Sequence, residues 1–275
     1  MNKKMILFTI GKLLQVEGIL LLLPVLVSLI YQDKATLSYL SVSVFVLLIG
    51  TLLSRKKPKH RNIYAKDGFF IVGISWVILS FFGSLPFLLT GEIPSFTDAF
   101  FETVSGFTTT GSSILSSLDG LSRASLFWRS FTHWIGGMGI LVFTVAFIPI
   151  ASGRTMHILK AEMPGPVVGK LVSKVHVTAR ILYVIYAVLT LVQVILLLLG
   201  GMPLFDSLLN AFATAGTGGF SMDDAGIALY SSPYIEGVIT VFMILFGITF
   251  NLIYFFLIGT IAPVLKSEEL RGYLA

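Results

Sequence analysis

The run GVITVFMILFGITFNLIYFFLIGTIAPVL, residues 237–265, contains no charged side chain. About 20 consecutive apolar residues suffice for a helix to cross a hydrocarbon core about 30 Å thick. Similar runs recur along the whole chain, and they remove most of the folds otherwise open to it. A lipid-embedded backbone must satisfy its own N–H and C=O groups, which a helix does within one segment. A mean hydropathy of +0.92 with 12% charged residues lies outside the range of soluble domains. The chain reads as an all-α, multi-pass membrane protein.

Six segments are long enough to cross, at about 7–31, 38–54, 67–90, 125–150, 177–200 and 237–265. The opening MNKKMILFTIGKLLQVEGILLLLPVLVSLIY resembles a signal peptide, but it has no small-residue cleavage site and its apolar stretch continues to Tyr31. It therefore reads as the first span. Two insertions, 91–124 and 201–236, are too polar to cross and too apolar to be ordinary loops.

Charge sets the orientation. Of the 19 Lys and Arg residues, all but Lys34, Arg123 and Arg129 fall on one side of this arrangement. That bias puts both termini in the cytoplasm, with lipid as the surrounding partner. The formal charge of +5 is thus a topology signal, and no nucleic-acid surface is implied. Asp33, Glu92, Asp98, Glu102, Asp119, Asp206, Asp223, Asp224 and Glu236 gather on the outer side, where an acidic vestibule would concentrate cations. The absence of cysteine excludes disulfides, thiolate metal sites and cysteine nucleophiles.

The insertions repeat each other. TDAFFETVSGFTTTGSS (97–113) and FDSLLNAFATAGTGGFS (205–221) align without a gap, pairing Asp98 with Asp206, Thr109 with Thr217, Gly111 with Gly219 and Ser113 with Ser221. A ten-residue helix from about Asp98, capped by Ser95 or Thr97, would be about 15 Å long, half a bilayer. Its C-terminal end, partly negative, would then point toward the membrane interior. The small hydroxyl-rich segment that follows could return outward in extended form and offer carbonyl oxygens to a dehydrated cation. Each unit is span, half-helix, polar loop, span: 67–153 forms the first pore repeat and 154–275 the second, with residues 1–66 a two-span preface.

DAFFETVSGFTTTGSS, WIGGMGI (134–140), AEMPGP (161–166) and FATAGTGGFS (212–221) together resemble the Trk/Ktr/HKT superfamily of potassium transporters, most closely the bacterial TrkH-type uptake subunit. The resemblance covers essentially the whole chain. It implies six transmembrane helices with two half-membrane pore helices, a non-enzymatic function, and potassium as the transported ion with no cofactor. The backbone carbonyls of Thr109, Thr110, Gly111 and Ser112 would bind K⁺ in the first repeat, and those of Thr217, Gly218, Gly219 and Phe220 in the second. Members of the superfamily carry four such repeats, so the chain resembles their N-terminal half. That leaves a homodimer or a complementing chain to supply further pore loops. A TrkA-type nucleotide-binding regulatory subunit is also implied, on the basic inner segments 55–66 and 154–174. A non-conducting assembly subunit is the alternative.

Several residues carry less specific readings. Gly136, Gly137 and Gly139 fit close helix approach better than ion contact. His133 is either a functional intramembrane histidine or an interfacial residue. Glu17 reads as snorkelling or paired with Lys12. Asp223 and Asp224 read as vestibule charge. No catalytic His, Ser or paired-carboxylate spacing is present.

Overall fold

The computed structural model describes residues 2–56, 58, 65–139 and 175–274. These residues form an all-helical assembly: α1 (Lys3–Leu20), α2 (Leu22–Tyr31), α3 (Thr36–Ser54), α4 (Ala65–Thr90), α5 (Phe96–Phe107) and α6 (Arg123–Met138), then α7 (Val175–Leu199), α8 (Leu204–Ala215), a short 3₁₀ turn, α9 (Pro233–Gly247), α10 (Phe250–Leu257), α11 (Ile261–Lys266) and α12 (Glu268–Leu274). Among the described residues, four segments are long and apolar enough to cross a membrane: Lys3–Tyr31, Thr36–Ser54, Lys66–Thr90 and Ala179–Leu199. The AEMPGP motif, the boundary between the two repeats, the end of the 125–150 span and most of the basic inner segments lie outside the described residues.

The two-span preface packs as small-residue sequence dictates. A Cβ added at Gly11 would lie 2.8 Å from the Gly50 carbonyl oxygen, and one at Gly50 2.8 Å from that of Gly11. The α1 and α3 backbones therefore touch, the approach that membrane helices use when no hydrophobic drive separates side chains from lipid. Ser43 Oγ adds a 2.6 Å hydrogen bond to the Gly18 carbonyl across the same pair.

Glu17 contradicts its expected role. It is buried, neither carboxyl oxygen has a hydrogen-bond partner among the described residues, and Lys12 instead donates to Gln15. Its carboxylate sits against Gly83 of α4 rather than at the lipid surface, so it has no route for snorkelling.

The last apolar run also departs from expectation. A helix begins earlier, at Pro233, where Ser232 caps its first turn, and stops at Gly247. The next helix resumes at Phe250, bent by 98° from the first. At the break Ile248 adopts extended backbone and Thr249 leaves the helical region at φ −54°, ψ 119°. Hydropathy is blind to this because both halves are equally apolar.

The half-helices match the repeat closely. Helices α5 and α8 each have 12 residues, about 18 Å at 1.5 Å per residue. Ser95 caps α5 through a bond from the Asp98 amide, and both helices carry their aspartate, Asp98 or Asp206, in the first turn. Helix α6 packs against both α5 and α8, and α4 against α5. Trp128 on α6 anchors this arrangement by donating its indole N–H to the Gly83 carbonyl of α4 at 2.9 Å.

Candidate ion-binding site

Each half-helix ends in the same hydrogen-bonded hook. In the first repeat, Thr108 N–H donates to Val104 O, Thr109 N–H to Gly106 O and Thr110 N–H to Ser105 O. In the second, Gly216 donates to Phe212 O, Thr217 to Thr214 O and Gly218 to Ala213 O, the same three bonds at equivalent positions. This pattern needs a left-handed residue one place beyond the cap, usually glycine. Here that residue is threonine both times, with φ 55° at Thr109 and 53° at Thr217. A β-branched residue in this region is a genuine outlier and is strained by about 1–3 kcal/mol. Finding the same strain twice points to a constraint beyond helix termination. Two residues on, Gly111 has φ 75° and Gly219 φ 80°.

The segments that follow make few backbone hydrogen bonds. The carbonyls of Thr109, Thr110, Gly111 and Ser112, and of Thr217, Gly218, Gly219 and Phe220, accept no hydrogen bond from any described residue. All of these residues but Phe220 are exposed or half-buried, so the oxygens are open to water or to an ion. Two matched runs of four carbonyls, beside the C-terminal ends of two half-helices, make a set of hard ligands for a cation of low charge.

The two segments are in direct contact. A Cβ at Gly111 would overlap the carbonyl oxygen of Gly218 and lie 2.8 Å from its carbon. Below them, a cavity of about 360 Å³ reaches Thr109, Thr217, Gly136, Gly216, Thr249 and Glu269. The break between α9 and α10 thus lines one cavity with the ends of both half-helices, and Glu269 accepts a hydrogen bond from Thr249 at its edge.

Gly136 and Gly137 line the site as packing residues. A Cβ at Gly136 would overlap the Phe107 carbonyl oxygen, and one at Gly137 would lie 2.6 Å from the Tyr186 hydroxyl and 2.9 Å from Gly216 Cα. The close-approach reading of GGMGI fits this geometry, and what Gly136 and Gly137 approach is the C-terminal ends of the two half-helices. Ile140 lies outside the described residues.

Three polar residues lie behind these segments, where Glu102 and Arg129 depart from their expected outer positions and His133 takes the intramembrane one of its two readings. Glu102, expected as an outer vestibule charge, is fully buried and pairs with Arg129, whose side chain is 3% exposed, at 2.7 Å. Glu102 also accepts from Ser113 Oγ and from the Ile114 amide at 3.0 Å. His133 is buried rather than interfacial and stacks on Phe220 with ring centroids 4.1 Å apart. Arg129 and His133 are four apart, so one face of α6 presents both to the Phe220 ring. An arginine and a histidine inside an apolar span are a legible sign of an internal role. Their partners were not legible.

The outer loops are tied to one another as well. Asp224 accepts from Ser117 Oγ at 2.6 Å and from the Leu118 amide at 2.9 Å, so it bridges the two repeats while remaining exposed. These hydrogen bonds hold its carboxyl below the ordinary aspartate value. Tyr230 donates to Asp206 at 2.8 Å, and burial together with that carboxylate raises its phenol well above the usual range.

A helical assembly with paired half-membrane helices, each followed by an unbonded, glycine-containing return, is a pore-loop membrane protein. The chain belongs to the TrkH family, described as cation transport protein, which matches residues 38–274. It is 38% identical over 259 residues to the Trk system potassium uptake protein TrkH of Escherichia coli K12, covering 92% of this chain and 53% of that protein. It is 31% identical over 268 residues to the Trk system potassium uptake protein TrkG of the same organism, covering 96% of this chain and 55% of TrkG. The crystal structure of the potassium transporter TrkH from Vibrio parahaemolyticus superposes with a TM-score of 0.83 at 33% identity, over all of this chain and 56% of that one. The chain therefore spans little more than half the length of the relatives it matches.

Proposed function

We propose that this chain supplies two pore loops to a potassium uptake pathway of the Trk type. The observation that carries the reading is the matched pair of filter segments. Thr109–Thr217 and Gly111–Gly219 share their unusual backbone, and the eight carbonyls around them have no partner among the described residues. A cation entering from the outer side would exchange water for these oxygens. The negative ends of α5 and α8 and the cavity beneath them favour positive charge at the inner exit. Nothing in this process makes or breaks a covalent bond, and K⁺ is cargo.

The reading extends to assembly. Coordinating a dehydrated ion from all sides takes about four loops, so a second copy or a chain with further repeats completes the ring. The repeats are taken as 67–153 and 154–275 behind the 1–66 preface, in the cytoplasmic membrane with both termini inside. A nucleotide-binding regulatory subunit of the TrkA type would dock on the basic inner segments.

The test is potassium-limited growth and Rb⁺ uptake in cells lacking their own potassium systems. The chain is expressed alone, and then with a chain supplying further repeats. Restoration in either arm supports the pore role and shows which assembly conducts. Expression at the membrane with no uptake in both arms refutes it and favours a non-conducting assembly subunit.

A further inference from the structure

We propose that Arg129 is a positioning residue that holds the two filter segments in a fixed relation and so sets ion selectivity, an inference that rests on the filter reading above. Arg129 stands on α6, yet its guanidinium reaches both repeats. Nε donates to Glu102 Oε1 of the first half-helix at 2.8 Å, and one terminal nitrogen reaches Ser113 Oγ at 3.4 Å. The other donates to the Ser221 carbonyl at 3.2 Å. The guanidinium carbon also lies 4.4 Å from the centre of the Phe220 ring.

Ser113 and Ser221 are equivalent positions, each immediately after its filter. One side chain therefore grips the same point of both repeats. Glu102 reinforces the first grip, because it accepts from Ser113 Oγ and the Ile114 amide while pairing with Arg129.

Among the described residues the second repeat has no such device of its own. Asn210 stands where the first repeat has Glu102, and α9, sequence PYIEGVITVFMILFG, contains no Arg or Lys. The arginine of the first repeat serves both. Burying an ion pair is poor economy for stability alone, and its better-attested value is in fixing one arrangement over its neighbours. The guanidinium spreads its donors over three nitrogens in one rigid plane, whereas lysine's three donors share a single nitrogen, so lysine could pair with Glu102 but could not also reach Ser221. Released from that link, Ser221 and the Phe220 carbonyl before it can shift relative to Ser112. The pore would still accept cations but would discriminate less among them.

The experiment compares wild type, Arg129→Lys, Ser113→Ala and Gly111→Ala in whichever assembly restores uptake. Competing K⁺ and Na⁺ uptake are measured at matched membrane expression. The chain lacks cysteine, so spin labels at Ile114→Cys and Met222→Cys report the distance between the segments beyond the two filters in purified protein. Arg129→Lys is expected to lower K⁺ over Na⁺ preference at least tenfold and to broaden the distance distribution about twofold, with total uptake retained. Ser113→Ala, which leaves the ion pair intact, is expected to do the same to a smaller extent. It decides the matter should Arg129→Lys fail to accumulate. Unchanged selectivity and distance width in the accumulating variants, with selectivity lost in Gly111→Ala, overturn the positioning role and leave the filter standing. Unchanged selectivity in Gly111→Ala overturns the filter itself.

Discussion

Replacing Gly111 with alanine tests the site through two separable effects. The first is conformational: at φ 75° a Cβ meets the backbone, costing about 1–2 kcal/mol. The second is steric. The new methyl overlaps the Gly218 carbonyl oxygen and sits 2.8 Å from its carbon, where real Cβ atoms keep at least 3.0 Å. Overpacking of this kind adds about 1–3 kcal/mol. The total is about 2–5 kcal/mol, and it falls on a carbonyl assigned to the other repeat. Gly219 separates the two effects, since its φ is 80° but nothing among the described residues lies within 4 Å of an added methyl. Gly73, with open space around it and ordinary helical φ, serves as control. The expected order of damage to K⁺ over Na⁺ preference is Gly111→Ala, then Gly219→Ala, then Gly73→Ala with none. Uptake competition at matched membrane expression reads that order. Wild-type preference in Gly111→Ala would mean that the Gly111–Gly218 contact does not shape the pathway, and the reasoning fails.

Other outcomes follow from the same geometry. Arg129→Met leaves the buried Glu102 carboxylate unpaired and should destabilise the protein by about 3–5 kcal/mol, with Glu102→Gln in the same chain recovering part of the loss in detergent thermal melts. A double variant no more stable than Arg129→Met alone contradicts the pairing. Asp224 has a depressed folded-state pKa, so its bridge to Ser117 and Leu118 is present above the ordinary value of 3.8 and is lost as pH falls below it. Hydrogen exchange at the Leu118 amide, corrected for the intrinsic rate, should rise in that window, and Asp224→Asn should remove the pH dependence. For orientation, a cysteine at Asp119 or Asp224 should react with an impermeant thiol reagent on intact cells, while one at Lys170 should not. Labelling at Lys170 alone inverts the topology.

The sequence by itself determined what depends on local composition and period. Repeated charge-poor runs long enough to cross a whole bilayer mark membrane helices. The gapless match of 97–113 with 205–221 placed two half-helices and two returns, and the hooks at Thr109 and Thr217 show the two copies folding alike down to individual hydrogen bonds. Gly111 and Gly219 were legible because positive φ is a local property of a residue. The partners of Arg129 and Glu102 were not, since a charge near an apolar run has the same signature whichever group it faces. Their pairing, like the reach of Arg129 to Ser221 across 92 residues, exists only once α5, α6 and α8 pack together. The same holds for His133 against Phe220 and for Gly111 against Gly218. The 98° break at Ile248 and Thr249 was hidden for a related reason, because hydropathy is a sum over residues and carries no information about direction. Membership in the bilayer is a transfer free energy, additive along the chain, whereas the relation between the two return segments is set by contacts that only tertiary packing creates.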